Sequence, residues 1–113
     1  MKNIKIILTI MFSVLLFVSC DSATTQDLSP VVLAPTYTAN IEAVFSANCT
    51  SCHSGSNQYP DLDSYAAVKD ATLNGTVLCR LTASCGNIMP QSGALPQANI
   101  TMINTWATNN CPE

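Results

Sequence analysis

Apolar residues change their spacing along this chain, and each change marks a different kind of segment. From Ile6 to Val18 they run almost without interruption behind Lys2 and Lys5, over a length too short to span a bilayer comfortably. That order reads as an export signal over residues 1–19, set aside before any fold reasoning. Residues 21–36, "DSATTQDLSPVVLAPT", mix Ser, Thr, Ala and Pro without a helical period and read as a tether. Within it, "VVLA" has the make-up of a short strand.

From Tyr37 onward helical spacing takes over. Ile41, Val44, Phe45 and Ala47 to Cys49 predict one apolar helix face, with Thr38 as cap. "SYAAVKDATL" predicts a second helix, capped by Asp63 or Ser64 and closed by Asn74 and Gly75. "TVLCRL" is a short apolar piece whose type the pattern leaves undecided. "QANITMINTWATNN" places Ile100, Ile103, Trp106 and Ala107 on one face of a last helix. Between these lie two loops dense in turn residues, "SGSNQYPD" and "TASCGNIMPQSGALP". No stretch alternates with a period of two, and no repeat is visible, so the expectation is a small all-α domain over 37–113. A core this small is marginal and needs something extra to hold it together, which a cofactor would supply.

One pentapeptide carries the chemistry: "CTSCH", residues 49–53. Two thiols three apart and an adjacent imidazole are what covalent haem attachment requires, the thiols for the two vinyl groups and His53 for the iron. A structural zinc site would need a fourth ligand and a second knuckle, and no further Cys-x-x-Cys occurs. A redox dithiol belongs at the start of a helix after a buried strand, whereas this one follows a helix. With six Cys and one His in 113 residues, the pattern arises by chance with an expectation of roughly 0.003. Haem c is the expected cofactor.

His53 is the only histidine, so a second axial ligand from this chain must be something else. Met1 and Met11 leave with the signal, and Met102 lies among core positions of the last helix. Met89 stands in the irregular "NIMPQSG", where Pro90 stiffens the segment, and is the expected distal ligand; Lys69 is a remote alternative. Arg80 is a candidate partner for a haem propionate, or else a solvated surface residue. Tyr37, Phe45, Tyr65 and Trp106 are candidates to flank the porphyrin or simply to build the core.

The export signal ends in "FVSC", which resembles a bacterial lipobox, in which cleavage leaves Cys20 as an acylated first residue. The expectation is therefore lipid anchoring through Cys20 on the periplasmic or cell-surface side of a bacterial membrane. Cleavage removes Lys2 and Lys5, leaving Lys69 and Arg80 against seven acids, a net charge of about −5. That argues against nucleic acid and predicts redox partners with a basic docking patch. Once Cys20 and the haem pair are assigned, Cys79, Cys85 and Cys111 remain. In an oxidising compartment two should pair; Cys79 with Cys85 closes the shortest loop, and Cys111 is the alternative partner for either.

A helix running into "CTSCH", an "MP" loop later in the chain and a terminal helix with "INTWATNNC" together resemble a class I cytochrome c domain. More narrowly, "IEAVFSANCTSCHSG", "LDSYAAV" and "IMPQSGALPQANITMINTW" are similar to the small monohaem domains of bacterial lipoproteins. The resemblance implies thioether links at Cys49 and Cys52, His53 as proximal and Met89 as distal ligand, and single-electron transfer rather than catalysis on a substrate. A carbonyl should fix the tautomer of a ligating His, and Pro60 is the expected acceptor. Two rival functions stay open: a haem enzyme or sensor for peroxide or a small gas, with Met89 labile or unbound, and a non-haem Cys-x-x-Cys module, redox or structural.

Overall fold

A computed structural model describes residues 31–113. The export signal over 1–19, the acylation candidate Cys20 and the tether up to residue 30 lie outside the described residues. Among the described residues every regular element is helical, so the domain is all-α and "VVLA" forms no strand.

The first helix opens with a π-helical turn, Tyr37–Ile41, and continues as α1, Glu42–Asn48. Its cap is Thr36 rather than the expected Thr38. Thr36 Oγ1 accepts the Ala39 N–H at 3.4 Å, while Asn40 Oδ1 accepts the Thr36 N–H at 3.1 Å. This reciprocal pair satisfies two main-chain donors at once. Pro35 just ahead of it is fully buried, so the end of the tether already packs on the domain. Ile41 and Phe45 are buried and Val44 packs at the core's edge, but Ala47 is exposed, so the apolar face is shorter than its spacing predicts.

The second helix, α2, spans Tyr65–Leu73, and of the two candidate caps it uses Ser64, whose Oγ accepts the Ala67 N–H at 3.4 Å. Its end differs from the expected left-handed closure. Neither Asn74 nor Gly75 has a positive φ; Asn74 instead bonds Asp70 twice, through its N–H to the carbonyl and its Nδ2 to Oδ1, each at 2.8 Å. Gly75 is there for room, because a Cβ would stand 2.6 Å from the Ala71 carbonyl. "TVLCRL" resolves as a five-residue helix, α3, Val77–Leu81. The last helix, α4, Gln97–Thr108, buries Ile100, Ile103 and Trp106 on one face as its pattern predicts, with Met102 half-buried against the same core.

The C-terminal tail ties these helices together. Asn110 and Cys111 take positive φ values of 63° and 53°, a costly conformation for residues with side chains, and this turns the tail back over the core. The Pro112 carbonyl then accepts the Tyr37 N–H at 2.9 Å and the Trp106 indole N–H at 2.7 Å. One residue earlier, the Cys111 carbonyl accepts the Tyr65 hydroxyl at 2.8 Å. Tyr37 packs its ring 5.3 Å from Tyr65 and 6.1 Å from Trp106, both tilted, as aromatic quadrupoles prefer. One latch thus joins the first turn, α2 and α4.

Removing the Tyr65 hydroxyl leaves the part-buried Cys111 carbonyl without its donor. Tyr65→Phe is expected to cost about 1–2 kcal/mol of stability, read as a lowered midpoint in denaturant unfolding with unchanged slope. An unchanged midpoint would show that the Tyr65 hydroxyl contributes nothing to the latch.

Candidate functional site

The site grows out of the way α1 ends. The N–H groups of Cys49 and Thr50 both reach the Phe45 carbonyl, at 2.8 and 3.2 Å. The Cys49 carbonyl then accepts the N–H groups of Cys52 and His53, at 3.1 and 2.9 Å. The pentapeptide is therefore one tight turn continuing the helix. Cys49, Cys52 and His53 all line a single cleft of about 300 Å³.

His53 is held by the loop that follows it, which also lines the cleft. Its Nδ1 lies 2.9 Å from the Pro60 carbonyl, the expected acceptor, and 3.2 Å from the Gln58 carbonyl. With its proton on Nδ1 directed at these oxygens, the ring keeps an unshared lone pair on Nε2, the form a metal-ligating imidazole needs. The loop that brings those carbonyls round is itself fastened. Ser56 N–H donates to Asp61 Oδ1 at 2.9 Å, Gly55 N–H to Asp63 Oδ2 at 3.4 Å, and Leu62 N–H to the His53 carbonyl at 2.7 Å. Gly55 and Ser56 sit successively at φ 60° and 63°, and Gly55 takes that conformation without the side-chain penalty. Asp61 was not singled out in the sequence and Asp63 only as a cap of the second helix, because an acid beside a turn looks like any solvated acid.

The other walls come from α3 and the loop after it. Val77 and Leu81 give an apolar surface, Arg80 a cation, and Met89 a half-buried thioether next to Pro90. Met102 and Lys69 do not line the cleft. Met102 packs on the core, and Lys69 lies over the Tyr65 ring with its Nζ 3.2 Å from that hydroxyl. Of the four aromatic candidates only Phe45 reaches the cleft; Tyr37, Tyr65 and Trp106 belong to the latch. Of the two roles left open, those three take the core one, tied by their N–H and O–H groups to the carbonyls of the tail.

Cys79 and Cys85 are joined as a disulfide, with Cα atoms 5.4 Å apart, and Cys111 is buried without a partner among the described residues. Cys111 serves the latch through its main-chain carbonyl. The Cys49 thiol is pushed up to about 11 by burial. A thiol so reluctant to ionise makes a poor nucleophile and a poor soft-metal ligand, whereas a neutral thioether at that position carries no desolvation cost. Among the described residues no group of three or more His, Cys, Asp or Glu side chains is arranged to hold a metal ion. The donors that do converge are one imidazole and one thioether, with two cysteine sulfurs beside them.

No known family model matches the chain, and no curated protein or solved structure is significantly similar to it. The functional reading therefore rests on this cleft and the residues around it.

The two thiols of the turn differ in a measurable way. At pH 8, with haem unattached, exposed Cys52 is expected to react readily with iodoacetamide, while Cys49 should be slowed by roughly 100-fold relative to an ordinary thiol. Mass-spectrometric kinetics at each site check this; equal rates would mean that Cys49 is not shielded as the cleft requires.

Proposed function

We propose that the chain is a monohaem c-type cytochrome of the class I kind, carrying single electrons between redox partners at the outer face of a bacterial membrane. The observation that carries this reading is the meeting, in one apolar-walled cleft, of Cys49, Cys52, His53 and Met89, with the His53 Nδ1 already committed to the Pro60 carbonyl. The donor set suits haem c. Cys49 and Cys52 would each add a sulfur to a vinyl carbon, the thiol proton passing to the neighbouring carbon with no net change of oxidation state. His53 would bind through Nε2 and Met89 through its sulfur.

When bound there, haem would supply one-electron exchange between ferrous and ferric iron. The chain's own residues do the rest. Pro60 holds the imidazole in one orientation, so that its ring need not reorganise as charge changes. Phe45, Val77, Leu81 and Pro90 keep water from the cleft and favour the less charged, reduced state, as does a thioether ligand. Arg80, on the same wall, has guanidinium donors to offer a propionate.

The remaining parts of the reading concern where the protein works. The basic, apolar N-terminal run and "FVSC" support export and acylation at Cys20, with residues up to the buried Pro35 as tether. The acidic balance favours redox partners with a basic patch and disfavours nucleic acid; such association weakens as salt rises.

The test is expression with cytochrome c maturation machinery, followed by haem staining after denaturing electrophoresis. A stained band lost in the Cys49→Ser, Cys52→Ser double variant is expected. Oxidised protein should be low-spin with the weak long-wavelength band of Met-ligated iron, and Met89→Ala should abolish that band and turn the spectrum high-spin. Folded but colourless wild-type protein would overturn the cytochrome reading and favour a non-haem module. A stained but high-spin wild type would favour a haem enzyme or gas sensor.

A further inference from the structure

One residue of α3 grips the loop that carries Met89 in two ways. The Arg80 carbonyl accepts the Met89 N–H at 3.0 Å and the Ala83 N–H at 3.3 Å. The Arg80 guanidinium, through Nη1, donates to the Asn87 carbonyl at 3.2 Å. Gly86 lies against that guanidinium at φ 140°, and a Cβ there would collide with Nη1. The disulfide from Cys79 to Cys85 closes the near end of the same arc. The arc leaves α3, passes beside the Arg80 side chain and returns to the Arg80 main chain at Met89.

A cation present only to neutralise an acidic group of a ligand would have no use for this arrangement. It would not need a glycine beside it, nor a bond to a main-chain carbonyl two residues before Met89. A clamp needs both, because the planar guanidinium must lie close to the backbone it holds.

We propose that Arg80 is a positioning residue for Met89, its guanidinium holding the arc at Gly86 and Asn87 so that the thioether stays at the cleft. This rests on the reading of Met89 as distal ligand. Gly86 is part of the device, keeping the space that the guanidinium occupies. Pairing of Arg80 with a propionate is compatible with the clamp, since the guanidinium has further donors.

Carbon monoxide binding to the reduced, full-length haem protein tests this, because the gas can enter only when the thioether has let go. Wild type should bind slowly and Met89→Ala fast. Arg80→Met removes the clamp's donors, and Arg80→Lys keeps the charge while losing the planar fork that lies along the arc. Both should bind carbon monoxide roughly tenfold faster than wild type, the scale of losing one charge-assisted hydrogen bond. If Arg80 serves only a propionate, Arg80→Met shifts the reduction potential, Arg80→Lys, which keeps the charge, does not, and neither speeds carbon monoxide binding; the clamp is then overturned. It is also overturned if both variants bind at the wild-type rate, even with lowered melting temperatures. A wild type as fast as Met89→Ala overturns the ligand assignment itself, and the clamp with it.

Discussion

A helix that stops leaves its last carbonyls in need of donors, and how they are satisfied decides where the following residues go. At the end of α1 the chain meets this need from within. The Cys49 carbonyl takes the N–H groups of both Cys52 and His53, so the helix passes into a compact turn without splaying into a loop. Two thiols and an imidazole thereby reach one cleft from five consecutive residues. Everything proposed about the site depends on this turn, because a looser connection would scatter the sulfurs from the imidazole.

The turn would be of little use without two supports that are far apart in sequence. The tail latch, built on the Pro112 and Cys111 carbonyls, draws the first turn, α2 and α4 into one block and consumes three of the aromatic residues. That leaves the end of α1, with Phe45, as the edge of the cleft. The second support is the loop over 54–63, where two aspartates bind main-chain N–H groups and bring the Pro60 carbonyl to the His53 ring. One support fixes the wall and the other fixes the ring.

Burial separates the two cysteines of the turn. Cys52 is exposed, while Cys49 sits against the core, where its ionised form is disfavoured. Nucleophilic thiols work by the opposite arrangement, an electropositive setting that lowers the pKa. The cleft is thus better suited to sulfur that stays neutral than to sulfur that cycles. The same wall carries a single cation, Arg80, whose guanidinium is tied to the Asn87 carbonyl beside Gly86.

Much was legible in the residues alone. The helical spacing marked the helices that carry Phe45, Val68 and Trp106, and the spacing in "CTSCH" marked the site, because both follow from geometry within a few residues. That Met89 lines the cleft while Met102 packs on the core was also readable, since one lies in a proline-stiffened loop and the other at helical core spacing. Local rules failed where two partners competed for one role. Thr36 displaced Thr38 as cap because Asn40 could reciprocate, and Asn74 closed α2 through Asp70 without a left-handed turn. Only the tertiary structure could send Tyr37, Tyr65 and Trp106 to the latch, pair Cys79 with Cys85 over Cys111, and lay Arg80 against Gly86. Those outcomes turn on which distant groups share a surface, and spacing along a chain carries no record of that.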